Sequence, residues 1–258
     1  MAVITFMSDF GTDDHYVAAV KAAIVSKTVN QPIADISHMI KPYDISHAAN
    51  VLKHVYKEFP KGSVHLVAVD AMKKKSNPIA IELDGHFFVG FDSGIFSLIS
   101  NNKPNQMVII DCEECTFPAK NVLAKAALSL IKGVRLESLG TKIEQIYELY
   151  GRQLKVTKRE IVGNVVHVDS YGNLITNIIK TEFDKMMELN GDGTRFSIQV
   201  GRQVFNELQS YFTDVESGDC YILFNSSEYL QIGILRGDAS SLLGLRVDSP
   251  IHIEFSTQ

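Results

Sequence analysis

The chain lacks any apolar run near the roughly 18 residues that span a bilayer, so a membrane helix is excluded. Its opening carries no basic n-region, and Ser8 and Asp9 interrupt the first apolar stretch, so no secretory signal is predicted. Cysteine is scarce: three among 258 residues, an odd number that builds no disulfide framework. Cys112 and Cys115 form a lone Cys-x-x-Cys, without the second pair a zinc site wants or the helix a redox motif usually opens. All three cysteines are expected as ordinary packed residues, and the protein as cytoplasmic. Positive charge is also short, with a formal net charge of -5 and a pI of about 5.9. Lys73-Lys74-Lys75 is the only basic run, expected as a solvated loop, and no aromatics are interleaved with it. Nucleic acid is therefore excluded as a partner. No Gly-x-Gly-x-x-Gly follows the first strand and no Gly-Lys-Ser/Thr loop exists, so the usual grips on a pyrophosphate are missing. Asp9-Phe10-Gly11 matches the kinase magnesium triplet, but without a glycine-rich loop before it or a His-Arg-Asp loop the match is accidental.

What is present is enough for a full core, at 45% hydrophobic and 21% charged residues. Two polar strings stand out, Ser8-Asp9-Phe10-Gly11-Thr12-Asp13-Asp14-His15-Tyr16 and Asp169-Ser170-Tyr171-Gly172-Asn173-Leu174-Ile175-Thr176-Asn177. Each follows an apolar run that reads as a strand, Val3–Met7 and Val165–Val168. Carboxylates, glycines and amides at strand ends are where folds place contacts to small ligands. If both strings serve one site, it lies between two domains or two subunits.

The first part of the chain alternates strand and helix. Strands are predicted at Val3–Met7, Ile33–Ser37, Val64–Val69 and Met107–Ile110, and helices at Asp14–Lys27, Ser46–Phe59, Ile95–Ile99 and Asn121–Lys132. Asp13 or Asp14 would cap the first helix and Ser46 the second. Asp84-Gly85 between Ile79–Leu83 and His86–Gly90 is a type I′ hairpin signal. This predicts an α/β N-terminal domain over 1–150, a mostly parallel sheet with helices on both faces. Gly133–Arg159 is polar and reads as the connection. From about Ile161 short apolar runs alternate with turns: Val165–Val168, Leu174–Ile179, Phe196–Val200, Cys220–Phe224, Tyr229–Ile234 and Ile251–Phe255, with one helix near Glu182–Leu189. They predict a small all-β barrel or sandwich over 160–258.

Asp9, Asp13 and Asp14 sit past the first strand, at the sheet edge where open α/β folds bind ligands. Three readings compete there: a divalent metal, the paired hydroxyls of a ribose, or helix capping alone. Asp70 ends the most apolar strand and faces the same edge. His38 and Asp44 bracket Lys41-Pro42-Tyr43, where Tyr43 could offer a ring face. Asn173, Thr176 and Asn177 could present amide and hydroxyl groups to a base or an amino acid, and Asn173 could equally be a left-handed turn residue beside Gly172.

Together these residues resemble the S-adenosyl-L-methionine hydroxide adenosyltransferase family, which includes fluorinating and chlorinating enzymes. The resemblance runs through Ser8-Asp9-Phe10-Gly11, Ile36-Ser37-His38, Pro42-Tyr43-Asp44-Ile45, Phe59-Pro60-Lys61-Gly62-Ser63-Val64, Val69-Asp70, and Phe88-Val89-Gly90 with Asp92 and Gly94. It continues through Val165–Asp169, Gly172–Ile178, Asn225-Ser226 and Gly237-Asp238-Ala239. It implies an α/β domain, a C-terminal β-barrel, and a homotrimer with sites between subunits. By position it assigns Asp9 to the ribose hydroxyls, Tyr43 to the sugar face, and Asp14 and Tyr16 to the methionine portion. Asp169 and Ser226 would hold the amino-acid head group, and Asn173 and the Ala239 backbone the adenine. The ligand would be S-adenosyl-L-methionine or adenosine, with no metal and no cofactor. Hydrolysing members use an aspartate, an arginine and a histidine on water, and Asp70 matches the aspartate. The arginine that normally follows is absent from Ala71-Met72-Lys73-Lys74-Lys75-Ser76-Asn77, and Pro118 stands where the histidine follows Thr116-Phe117. Lysine could replace a charge there but not arginine's planar fork. Ala119 replaces the halide-contacting serine of fluorinating members. Two functions follow: a hydrolase giving adenosine and L-methionine, or a binding protein without turnover.

Overall fold

The computed structural model describes residues 2–28, 30–70 and 76–256; Lys73–Lys75, expected as a solvated loop, lie outside them. The chain divides into two compact units, one ending at Gly151 and the other starting at Arg152. No described helix is long and apolar enough to cross a membrane.

In the first unit, β1 (Ile4–Ser8), β2 (Ile33–Ser37), β3 (Val64–Ala68), β4 (Pro78–Leu83), β5 (His86–Phe91), β6 (Gln106–Ile110) and β7 (Gly140–Lys142) make one sheet, ordered β2-β1-β3-β5-β4-β6-β7. Four helices cover it: α1 (Tyr16–Val25), α2 (Ile45–Val55), α3 (Ile95–Leu98) and α4 (Ala124–Ile131). Successive strand residues point to opposite faces. Ile4, Phe6, Leu66, Val89 and Val108 accordingly share one core with Val20 and Ile24 of α1 and Ala127 of α4. Met7, Val67, Ile81, Phe88 and Met107 share the other with Ala48 and Leu52 of α2 and Ile95 of α3. Full burial of a side chain such as Leu52 contributes about 1.5–3 kcal/mol.

The sheet is mixed rather than mostly parallel, which corrects the expectation. β2, β1, β3 and β5 run parallel, whereas β5–β4, β4–β6 and β6–β7 are antiparallel. The two-residue turn at Asp84 (φ 53°) and Gly85 (φ 81°) reverses the chain at once, and a parallel partner would need a crossover of a dozen or more residues. Gly133–Arg159 is more than a connection: it holds a 3₁₀ turn at Leu136–Leu139, the edge strand β7, and β8 (Lys155–Val156).

Two expected caps are also corrected. α1 starts after His15, whose ring lies 4.6 Å from that of Tyr16, and no side chain caps it, Asp13 and Asp14 included. α2 is capped by Asp44, whose carboxylate accepts from His47 N at 2.8 Å, while Ser46 lies inside the helix. Cys112 is exposed rather than packed, because the segment after β6 leaves the sheet; Cys115 and Cys220 are half-buried.

The second unit contains β8, β9 (Glu160–Val168), β10 (Leu174–Ile179), α5 (Lys180–Asn190), β11 (Arg195–Val200), β12 (Gln203–Phe205), β13 (Cys220–Phe224), β14 (Tyr229–Ile234), α6 (Ala239–Leu243) and β15 (Pro250–Ser256). Its strands form an antiparallel sheet, ordered β12-β11-β15-β9-β10-β14-β13, with β8 beside β9. Ile198 and Val200 from one end share a core with Ile222, Leu230 and Ile232 from the other, so the sheet curls around a single interior. It is a curled half-barrel, the coarser form of the barrel or sandwich expected, and the helix expected near Glu182–Leu189 is present as α5. The end strands β12 and β13 form no ladder with each other, and Phe183 and Met186 of α5 fill part of the core. Gln209, four residues past β12, pairs with β13 instead: its N–H donates to Ile222 O at 2.9 Å and its side-chain oxygen accepts from Ile222 N at 2.8 Å.

Candidate functional site

Because β1, β2, β3 and β5 run the same way, their carboxyl ends emerge at one edge, where sheets of this kind bind ligands. Asp9 follows β1 there. Its Oδ2 accepts from the main-chain N–H of Tyr43 at 2.9 Å and of Asp70 at 3.1 Å. The structure thus brings together three residues singled out from sequence. Both donors are left-handed, Tyr43 at φ 64° and Asp70 at φ 51°. Each such non-glycine residue costs roughly 1–3 kcal/mol and persists only where its surroundings enforce it. Asp9 contributes two hydrogen bonds to that enforcement, both accepted by Oδ2. The Tyr43 ring is 73% exposed and available as a flat face.

His38 holds the end of β1 from both sides. Its carbonyl accepts from Gly11 N at 2.8 Å, and its Nδ1 lies 2.7 Å from the Ser8 hydroxyl. Nε2 stands 3.3 Å from Asp35 Oδ1, close enough for electrostatic attraction but off the line of a well-formed hydrogen bond. Lys21 pairs with Asp35 at 2.6 Å. Burial alone would raise the Asp35 carboxyl, but Lys21 and His38 outweigh it and hold it below its ordinary value. Burial lowers His38, although Asp35 pulls the other way. A Ser–His–Asp arrangement invites comparison with a nucleophilic triad, yet Ser8 has no exposure and cannot reach a substrate. The constellation braces the strand end. His38→Ala strands the Ser8 hydroxyl and should lower stability by about 1–3 kcal/mol in urea denaturation at neutral pH.

Tyr16, the first residue of α1, packs its ring 5.9 Å from Phe10 and 5.6 Å from Phe117. Phe117 precedes Pro118 and a π-turn at Ala119–Leu123 that leads into α4. Asp14 is exposed on the bend before α1. Among the described residues, no group of three or more His, Cys, Asp or Glu is arranged to hold a metal ion.

In the second unit the turn between β9 and β10 is organised by Asp169. Its Oδ1 accepts from Tyr171 N and Asn173 N, both at 2.9 Å, and its Oδ2 from Asn173 Nδ2 at 2.9 Å. Gly172 sits at φ 80° against Asp238, where a Cβ would collide with the aspartate. Its carbonyl accepts from Ser240 N at 2.9 Å, which joins this turn to the start of α6 and to the buried Ala239. Asp238 caps α6 through Ser241 N at 2.8 Å.

Tyr221 and Gln231 belong to the same network and were not anticipated. The Tyr221 hydroxyl donates to Asn173 Oδ1 at 3.0 Å, Gln231 Nε2 to Tyr221 Oη at 3.4 Å, and Asn225 Nδ2 to Gln231 Oε1 at 3.4 Å. The chain of bonds thus runs from the Asn173 turn to the residue before the exposed Ser226. The available signal was a polar atom inside each of two apolar runs, Cys220–Phe224 and Tyr229–Ile234.

The structure thus pairs a mixed α/β sheet with a carboxylate at its edge and, in the second unit, a turn of ordered amides. The chain belongs to the SAM hydroxide adenosyltransferase family: residues 4–140 match its N-terminal domain and 163–252 its C-terminal domain. It is 31% identical to (R)-S-adenosyl-L-methionine hydrolase of Methanocaldococcus jannaschii, over 97% of this chain and 95% of the relative. It is 27% identical to the protein of the same name from Thermus thermophilus, over 98% and 100%. A solved structure of a conserved protein from Thermotoga maritima, 28% identical, superposes with a TM-score of 0.86 over 97% of this chain and 99% of that one.

Proposed function

We propose that this protein hydrolyses S-adenosyl-L-methionine to adenosine and L-methionine. The observation that carries the reading is near-complete alignment with two proteins named as that hydrolase, at 27% and 31% identity. Geometry supports it through Asp9, a carboxylate held in place by backbone amides. In this reading Asp9 takes the ribose hydroxyls, the Tyr43 ring lies against the sugar, and Asp14 and Tyr16 border the methionine chain. Asp169 and Ser226 take the amino-acid head group, and Asn173 with the Ala239 backbone takes the adenine. The oxygen of water bonds to C5′ as the C5′–S bond breaks, its electron pair returning to sulfur. The water proton passes to Asp70. A neutral thioether leaves a cationic sulfonium, so alignment and desolvation of the attacking oxygen supply much of the rate. The reading also makes the protein a cytoplasmic homotrimer with sites between subunits.

The absence of an arginine after Asp70 and the proline at position 118 favour one rival, a protein that binds the same ligand without turnover. Incubation with S-adenosyl-L-methionine and chromatography for adenosine separates the two. Adenosine should form with the native protein and be absent with Asp70→Ala. Tight binding with equal, background adenosine from both would leave the binding protein.

A further inference from the structure

We infer that Tyr221 tunes the base specificity of the ligand site by holding the oxygen side of the Asn173 amide, whose NH₂ side Asp169 holds. The inference rests on the adenosyl reading above and assigns a role to a residue that does not itself meet the ligand. An ionised carboxylate can only accept, so the Asn173 atom facing Asp169 must be the NH₂ group. The same carboxylate also takes the main-chain N–H of Asn173, so it engages the side-chain hydrogen nearer the backbone. In this inference the other hydrogen, on the edge shared with Oδ1, is the one that meets the base. On the other side, Gln231 donates to the Tyr221 oxygen and turns its hydroxyl hydrogen toward Asn173 Oδ1. Gly233 leaves room for this contact, since a Cβ there would run into both the tyrosine hydroxyl and Asn173 Oδ1.

Asn173 is 8% exposed, so its amide has little freedom to turn once Asp169 and Tyr221 hold it. Its other hydrogen and an Oδ1 lone pair form an adjacent donor–acceptor pair. That pair complements the N7 acceptor and N6 amino donor of adenine, the asparagine–adenine pairing that discriminates among bases. Hypoxanthine offers an acceptor at position 6 and meets the oxygen with repulsion. Loss of the tyrosine hydroxyl releases the oxygen side of the amide and leaves Oδ1 short of a donor in a nearly closed setting.

The test compares adenosine with inosine by calorimetry on the full chain, its Tyr221→Phe variant and its Gly233→Ala variant, with thermal melts alongside. The native protein should bind adenosine at least roughly 10-fold tighter than inosine. In Tyr221→Phe that ratio should shrink at least about 5-fold, mainly through weaker adenosine binding. Gly233→Ala, which crowds both partners of the contact, should shift the ratio the same way, and titrations run below each variant's melting temperature keep the comparison valid. Native-like ratios in the folded variants, or a native protein indifferent to the two nucleosides, would overturn the role of Tyr221 while leaving the adenosyl reading in place. A native protein that binds neither adenosine nor S-adenosyl-L-methionine would overturn both.

Discussion

Asp9→Ala should weaken adenosine binding by about 2–4 kcal/mol, roughly 30- to 1,000-fold. Two losses combine. The carboxylate proposed to accept the ribose hydroxyls disappears, and a hydrogen bond to a charged group is worth about 1.5–3 kcal/mol. The amides of Tyr43 and Asp70, at φ 64° and 51°, also lose their common acceptor. Both segments then relax toward ordinary backbone and carry the Tyr43 ring away from the sugar. Asp9→Asn keeps an oxygen for the amides but not the charge, so it should fall between native and alanine. Calorimetric titration reads all three, and native affinity in Asp9→Ala would remove Asp9 from the ribose role.

The second large effect is acid lability. Thr5, His65 and His86 form a buried row across β1, β3 and β5, with Thr5 Oγ1 2.8 Å from His65 Nδ1 and His65 Nε2 3.2 Å from His86 Nδ1. His65 stacks on Phe88 at 4.8 Å and has no exposure. Burial, reinforced by His86, pushes His65 down to about 3 from its ordinary 6.5. Burial lowers His86 as well, with Lys61 and Lys57 adding to it and Asp84 opposing. An unfolded chain takes a proton on this histidine as pH falls through 6.5, whereas the folded chain refuses it until about 3. Stability is therefore intact above 6.5 and declines below it, by about 1.4 kcal/mol per pH unit from this residue. By pH 4.5 the loss should reach about 2–3 kcal/mol from His65 alone. His38, His47 and His54 are lowered too, each through burial first, and steepen the fall. Urea denaturation at pH 7.5, 6 and 4.5 measures this; a midpoint that does not move would contradict a neutral buried pair.

Where single strands lie was legible, because alternating apolar residues in β1, β3 and β5 meet a core on each face. How strands pair was less so. The hairpin at Asp84-Gly85 was evident from two residues, but the antiparallel return of β6 and β7 depends on contacts far along the chain. Gly140–Lys142 carries no apolar residue and β12 is short, so neither edge strand rises above its surroundings. Asp44 outcompeted Ser46 as a cap because its extended backbone (φ -86°, ψ 91°) places the carboxylate over His47 N, a matter of angle rather than residue type. That Asp9 and Asp70 follow strand ends was predictable from the apolar runs before them. The Tyr221–Asn173 bond was not, since its partners lie 48 residues apart and Tyr221 reads simply as core.

The bonds at Asp9 reach 34 residues forward to Tyr43 and 61 to Asp70. One side chain therefore ties two distant stretches of polypeptide to its own, and it is the side chain proposed to meet the nucleoside. Occupancy and local order become thermodynamically linked: whatever sits on Asp9 tightens the surrounding backbone, and whatever loosens that backbone costs affinity. A ligand bound at this rim, as proposed, would then help to complete the local fold.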